Sequence, residues 1–176
     1  MKAAITALTI FTLFSSPAFA MEAAQCPPTP KASADLERIK LFEGKWAGTT
    51  AHADGKSEPA AVEYHVTSGG SAVVETLCPG TPNEMVSVYH DKAGKLSMTH
   101  YCMLGNQPEM DLVNIAGGKM QFDMSQESHK SLEGQMHMHS LVLDTSAQGQ
   151  IIQTWTAVGP DGKPMDSTVM TLRKAA

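Results

Sequence analysis

The alternation of apolar and polar residues, which runs from Lys45 almost to the C-terminus, constrains the fold more than any other feature of this sequence. Successive side chains of a β-strand point to opposite faces, so a period of two predicts strands with one buried face. Turn residues such as Asp54-Gly55 and Gly117-Gly118 separate the runs and favour tight connections. The predicted strands are Lys45–Ala51, Ala60–Thr67, Ser71–Leu77, Glu84–His90, Lys95–Met103, Glu109–Ile115, Lys119–Ser125, Gly134–Asp144, Gln150–Val158 and Asp166–Arg173.

The residues before the first strand predict a short helix. Ser33 is a suitable N-cap, and Leu36, Ile39 and Phe42 are spaced to give one apolar face, with Gly44 expected to end the helix. Evenly spaced short strands joined by tight turns form antiparallel sandwiches or barrels. The sequence therefore predicts an all-β fold, a single antiparallel up-and-down β-barrel of about ten strands with a short N-terminal helix.

Several predicted strands mix apolar and polar residues on one face, which favours a barrel with a cavity over a solid sandwich. The mixed sets are Val73, Glu75 and Leu77; Met98, His100 and Cys102; and His137, His139, Leu141 and Leu143. A packed sandwich would have a purely apolar inner face, whereas isolated polar groups on an apolar wall suit a small barrel that encloses a ligand. The alternative, in which the polar members face solvent, is left open by the pattern.

The first 20 residues have the pattern of a secretory signal peptide. Lys2 is the only charge before an apolar run from Ala3 to Phe14, and Ala18-Phe19-Ala20 matches a cleavage site. The run is shorter than the roughly 20 residues that span a bilayer. We expect residues 1–20 to be removed, 21–31 to form a flexible Pro-rich tail and 32–176 to form the barrel. The protein would then be secreted or periplasmic, with no membrane span after cleavage.

Charge and cysteine content limit the partners. Lys2 is the one charge of the signal, so the remaining chain has 12 basic and 18 acidic residues and a formal charge of −6. Nucleic acids and anionic membranes attract basic patches, so neither is an expected partner, and the sequence does not determine the oligomeric state. One disulfide is plausible in an exported protein, and the three pairings of Cys26, Cys78 and Cys102 remain open.

The segment Thr99–Pro108 is the densest in groups that bind ligands or react. His100 and Cys102 share a face but lie about 7 Å apart along the strand, too far for a cysteine nucleophile with a histidine base. No catalytic motif is recognised elsewhere, so binding is favoured over catalysis. The predicted ligand-binding residues are Tyr64, Glu75, Met98, His100, Cys102, Asn106, His137 and His139.

His137 and His139 lie two apart, so a regular strand would project both imidazoles from the same face. Three histidines with one open position are a common zinc arrangement, and His100 is the candidate third ligand. The alternative function is therefore a metal- or haem-binding barrel, or a hydrolase- or isomerase-type enzyme, that uses these three histidines. The 12 methionines suit copper or an adaptable apolar pocket, of which the pocket is preferred.

Gly44-Lys45-Trp46 on the first strand, with Arg173 on the last, resembles the lipocalin and fatty-acid-binding superfamily. In that superfamily a Gly-x-Trp opens the barrel, and an arginine of the final strand often packs across the tryptophan. The resemblance implies structural roles for Trp46 and Arg173, with the guanidinium lying on the indole face at one end of the barrel.

Four further segments resemble a family of bacterial lipocalin-like, calycin-type barrels known only as a domain of unknown function. They are Gly69–Thr76, Glu84–Tyr89, Thr99–Pro108 and His137–Ser140. This resemblance implies the barrel and no particular reaction or cofactor. Gly44-x-Trp46-x-Gly48 also resembles, more loosely, nitrobindin, a ten-stranded haem barrel. The sequence thus predicts a secreted protein that holds a small, partly apolar ligand in its barrel cavity.

Overall fold

The computed structural model describes residues 31–175, so the predicted signal peptide and nearly all of the predicted Pro-rich tail lie outside the described residues. Ten antiparallel strands in this part of the chain form a closed barrel in which sequential strands pair and β1 pairs with β10. The strands are β1 (Gly44–Ala51), β2 (Ser57–Thr67), β3 (Ala72–Leu77), β4 (Met85–Lys92), β5 (Lys95–Tyr101), β6 (Glu109–Ala116), β7 (Lys119–Met124), β8 (His137–Asp144), β9 (Gln150–Val158) and β10 (Thr168–Lys174). The predicted up-and-down barrel of about ten strands behind a short helix is confirmed.

Gly48 allows the barrel to close. It pairs with Leu172 across the seam between β1 and β10. A Cβ atom at Gly48 would lie 1.8 Å from the backbone oxygen of Thr171, so a larger residue would force the two strands apart. The second glycine of the Gly44-x-Trp46-x-Gly48 motif is therefore required by the close approach of two backbones.

The helix α1 (Ala34–Lys40) closes one end of the barrel, where it contacts β2, β3, β4 and β5. Leu36, Ile39 and Phe42 are buried in the same apolar core as the strands. The carbonyl of Phe42 accepts a 2.7 Å hydrogen bond from the indole Nε1 of Trp46. This end of the barrel is therefore filled by the apolar face that the sequence predicted.

The N-terminal end of α1 is fixed by specific contacts. The Ser33 hydroxyl accepts from the backbone N–H of Leu36, as predicted for the N-cap, and donates to the Asp91 carboxylate at 2.6 Å. The helix ends at Lys40, earlier than expected. Gly44, which was expected to end it, has a φ of 114° and begins β1 instead. The left-handed region is accessible to glycine without strain.

A lysine rather than an arginine lies over Trp46. Lys174 pairs with Trp46 across the seam, and its Nζ atom is 5.8 Å from the centre of the indole ring. Arg173 faces the other side of β10 and donates to Gln150 at 2.8 Å. The implied Arg173–Trp46 contact is therefore wrong, because adjacent residues of a strand point to opposite faces and only Lys174 shares the face of Trp46.

A second helix, α2 (Gln126–Ser131), lies between β7 and β8 and is absent from the prediction. The Ser125 side chain caps it by accepting from the backbone N–H of Ser128. The Ser128 hydroxyl in turn accepts from the backbone N–H of Glu109 and fixes the helix to β6. No helix within residues 31–175 has the length and hydropathy needed to cross a membrane.

Candidate functional site

A row of polar side chains crosses the interior of the barrel on four adjacent strands. The cross-strand pairs Tyr64–Glu75, Glu75–Ser87 and Ser87–His100 place these residues side by side on β2, β3, β4 and β5. All four side chains are buried. We call these four residues the polar row.

Glu75 is the centre of the hydrogen bonding in the polar row. Its carboxylate accepts from the Tyr64 hydroxyl and from Nε2 of Gln153, both at 2.6 Å, and from the Tyr89 hydroxyl at 3.1 Å. Burial raises the pKa of Glu75, and the hydrogen bonds from Tyr64, Ser87, Gln153 and Tyr89 oppose that rise. No salt bridge within residues 31–175 involves this carboxylate, so neutral donors alone satisfy it.

The same network holds two aromatic rings near the other end of the barrel. Gln153 accepts a 2.9 Å hydrogen bond from the indole N–H of Trp155, and Ser87 Oγ lies 3.1 Å from Nδ1 of His100. The imidazole and indole rings pack with their centres 4.8 Å apart, at an angle of 42°. Buried hydrogen bonds to Gln153 and Ser87 therefore fix the orientation of both rings.

His100 presents a polar atom that has no partner. Its side chain is 1% exposed, and Nε2 makes no hydrogen bond to any of the described residues. Burial lowers the pKa of His100 from 6.5 to about 4, so the ring is neutral at pH 7. A neutral imidazole carries one donor and one acceptor nitrogen, and a buried nitrogen without a partner is an exception that requires an explanation.

His100 lines a cavity of about 210 Å³ at the end of the barrel opposite α1. Trp155 also borders it, and thioethers form much of its wall. The lining residues are Thr50, His52, Glu58, Leu77, Cys78, Asn83, Met85, His100, Met103, Met138, Trp155, Thr168 and Met170. A concave, largely apolar space with few polar groups is the usual form of a small-molecule site.

Of the eight residues predicted to bind a ligand, only His100 borders this cavity. Tyr64, Glu75 and Met98 are buried in the filled part of the barrel. Tyr64 and Glu75 accept hydrogen bonds from Gln153 and position it, while Met98 packs in the apolar core.

Cys102 and Asn106 belong to the loop between β5 and β6. The strand β5 ends at Tyr101, and the backbone N–H of Cys102 donates to the carbonyl of Asn106, which closes a turn. The Asn106 side chain donates to the carbonyl of Met136 at 2.8 Å and joins two loops. Cys102 forms no disulfide with Cys78, and Cys26 lies outside the described residues.

A β-bulge at His139 reverses the predicted orientation of the two histidines of β8. Met138 pairs with Ala157 and Ser140 pairs with Thr156, which leaves His139 as an extra residue. Met138 consequently points into the barrel and lines the cavity, while His137 and His139 line a separate cleft with His129 of α2. The predicted three-histidine set of His100, His137 and His139 is therefore wrong.

Several cavity residues were missed by the sequence prediction. Trp155 alternates with Gln153 and Ile151 on β9, and all three are buried. A glutamine between two apolar residues on one face of a strand could have indicated this site, because a buried amide needs specific hydrogen-bond partners. Met138 could not be recognised, because the bulge that turns it inward has no marker in the sequence.

Comparison with known proteins supports the fold. No protein-family model matches the sequence, and no curated protein matches it. Among solved structures, it is similar to a protein of unknown function from the DUF3598 family of Nostoc punctiforme PCC 73102, with a TM-score of 0.51 and 13% identity over 78% of this chain. The match covers 49% of that protein, so this chain spans about half its length.

Rv2717c from M. tuberculosis is also similar, with a TM-score of 0.55 and 10% identity over 83% of this chain and 100% of that one. Likeness at this level of identity concerns the fold alone. The closed ten-stranded barrel agrees with the fold that the sequence resemblances implied, and these structures show no particular family.

Proposed function

We propose that this protein binds a small, uncharged and partly apolar molecule in the cavity, and that the ligand donates a hydrogen bond to Nε2 of His100. The observation that carries the proposal is that His100 lines a largely apolar space and that its Nε2 is buried without a partner. An unsatisfied buried polar atom costs about 1–3 kcal/mol, which a donor on the ligand would recover.

The polar row supports an acceptor role for Nε2. The Ser87 hydroxyl has one proton, and it helps to hold down the pKa of the Glu75 carboxyl. If that proton points to Glu75, the Ser87 oxygen accepts from the Nδ1–H of His100. Nε2 then carries the lone pair, so a hydroxyl or N–H group is the complementary chemistry.

The size of the cavity limits the ligand. Its volume of about 210 Å³ is below the roughly 300–1,000 Å³ typical of drug-sized ligands. It exceeds the cavity of about 150 Å³ that accepts benzene in an engineered protein. A ligand with one substituted ring, or a short branched chain, therefore fits the described space.

Three observations favour this function over the metal, haem or enzyme alternative. A porphyrin is larger than the cavity, and His137 and His139 lie in a different cleft from His100. Burial keeps the pKa of His100 near 4, which makes this residue a weak general base at neutral pH. We therefore assign His100 to ligand recognition.

We further propose that the protein works outside the cytoplasm, on the basis of the signal-peptide pattern of residues 1–20. The mass of the protein recovered from the periplasm or culture medium of its host tests this. Recovery only from the cytoplasm with residues 1–20 attached would contradict it.

Phenol and toluene test the ligand assignment, because they are alike in shape and differ in one donor. Trp155 fluorescence reports occupancy of the cavity, since its ring borders the space. We expect phenol to bind roughly 3- to 10-fold more tightly than toluene, the value of one neutral hydrogen bond. Replacing His100 with Phe should remove this preference and retain toluene binding.

His65→Phe is the matched control, because His65 is exposed on β2 and remote from the cavity. It should leave both affinities unchanged. Failure of the protein to bind either compound at millimolar concentration would contradict the proposed function. Equal affinities for the two compounds would contradict only the role of His100 and not the binding function. Native mass spectrometry of protein from its host would then identify the natural ligand.

A further inference from the structure

Three histidines meet on the outer side of the barrel, away from the cavity. His137 and His139 of β8 face the exposed His129 of α2, with ring centres 4.9 Å apart for His129–His139 and 5.9 Å apart for His137–His139. The rings border a cleft of about 350 Å³ that also contains Glu133. We call these three residues the outer histidine cluster.

The nitrogen atoms of this cluster are prepared to donate lone pairs. Nδ1 of His137 lies 2.7 Å from the carbonyl oxygen of Gln135, which can only accept, so Nδ1 carries the proton. In the neutral ring Nε2 of His137 therefore carries the lone pair, and this atom is buried without a partner. A histidine that donates its other N–H to a backbone carbonyl has the arrangement typical of metal ligands.

His139 contributes a second atom of the same kind. Its Nδ1 is also buried without a hydrogen-bond partner. Its ring packs against those of His129 and His137. Glu133 lines the same cleft and provides negative charge near the cluster.

The separation of the His129 and His139 rings matches that of imidazoles on a shared metal ion, and the separation of the His137 and His139 rings is longer. With metal–nitrogen bonds of about 2.0–2.1 Å and tetrahedral angles, two imidazole centres are roughly 5 Å apart. No three His, Cys, Asp or Glu side chains in residues 31–175 are already arranged around one point. His129 is exposed, so rotation of its side chain can complete the set.

We propose that His129, His137 and His139 bind one divalent transition-metal ion of the Zn²⁺, Ni²⁺ or Cu²⁺ class. Imidazole nitrogen is a preferred ligand for all three. Three protein ligands leave a fourth position for water or for the carboxylate of Glu133. The site is independent of the barrel cavity and replaces the predicted ligand His100 with His129, which the fold brings from α2.

The test is isothermal titration calorimetry of the untagged protein with ZnCl₂ at pH 7.5, repeated with NiCl₂ as a second probe. We expect saturation at one ion per chain. His139→Gln and His129→Gln should each weaken binding about 10-fold or more. Both side chains are at least partly exposed, so these variants should fold, and unchanged near-ultraviolet circular dichroism would verify this.

Two controls separate this site from other donors. His52→Gln removes an exposed histidine paired with Glu58, and Cys78→Ser/Cys102→Ser removes both described thiols. Both proteins should bind zinc as the unmodified protein does. Absence of saturable binding, full binding by the His129 and His139 variants, or loss of binding in either control would overturn the proposal.

Discussion

Glu75 and His100 are joined through Ser87, which is the cross-strand neighbour of both. The carboxylate lies in the filled part of the barrel and the imidazole lies at the edge of the cavity, so a buried network extends from one to the other. The chemistry presented to a ligand is therefore set two strands away from the residue that contacts it.

The first prediction concerns the pH dependence of stability. The pKa of His100 is 6.5 when unfolded and about 4 when folded, so between these values the unfolded chain binds more protons. Stability should fall as the pH decreases from about 6.5 to 4, by up to about 3 kcal/mol from this residue. His100→Phe should flatten this part of the profile in urea unfolding experiments. A variant profile parallel to that of the unmodified protein would contradict it.

The second prediction concerns the carboxylate. Glu75→Ala leaves the Tyr64 and Tyr89 hydroxyls without their acceptor, so we expect a loss of about 3–5 kcal/mol in the free energy of unfolding. Glu75→Gln retains shape and one acceptor and should cost about 1–2 kcal/mol. Similar losses in urea unfolding for the two variants would show that packing rather than hydrogen bonding is decisive.

The difference in stability between the unmodified protein and Glu75→Gln should also depend on pH. Burial raises the pKa of Glu75 in the folded state. Between the unfolded and the folded pKa, the folded chain therefore binds the proton more tightly than the unfolded chain does. The contribution of Glu75 is fully present below its unfolded pKa and is lost as the pH rises through the folded pKa. The stability of the unmodified protein relative to Glu75→Gln should therefore fall with rising pH. A difference independent of pH would contradict this.

The third prediction concerns the seam. Gly48→Ala places a Cβ atom 1.8 Å from the Thr171 oxygen, so β1 and β10 must separate, and we expect a loss of about 2–4 kcal/mol. Gly159→Ala is the matched control, because its Cβ would meet the flexible Asp161 carboxylate at 3.1 Å. Thermal unfolding should distinguish the two. Equal melting temperatures would contradict the role of Gly48.

The fourth prediction treats the bulge as a separable insertion. Deleting His139 would leave Met138 and Ser140 adjacent, and their pairing with Ala157 and Thr156 would become regular without changing the face of either residue. We expect the deletion variant to keep the barrel and phenol binding while losing zinc binding. Simultaneous loss of both would show that the bulge also shapes the cavity.

The tight turns in the sequence determine much of the pairing within the polar row. Ala93-Gly94 forms the centre of the β4–β5 hairpin, and counting outward from it pairs Ser87 with His100. A tight turn fixes register, and register fixes which side chains meet. The alternation pattern and these glycines were therefore sufficient for the fold and for part of the site.

The remainder of the site depends on long-range packing. The extra residue at His139 turns His137 to the outer face and Met138 to the inner face. A prediction that assumes a strict period of two therefore places His137 inside the barrel. The meeting of His129 with β8 requires α2, a six-residue helix that is stabilised by its Ser125 cap and its contact with β6. Such contacts leave no periodic trace in the sequence.

The closed end of the barrel also holds both ends of the described chain. Ser33 is hydrogen-bonded to Asp91 at the end of β4, and the backbone N–H of Ala175 donates to the carbonyl of Lys45 at the start of β1. The cavity opens at the opposite end. A fusion partner joined directly at Ser33 or Ala175 would therefore lie at the closed end and leave the binding site free for exchange with the surrounding solution.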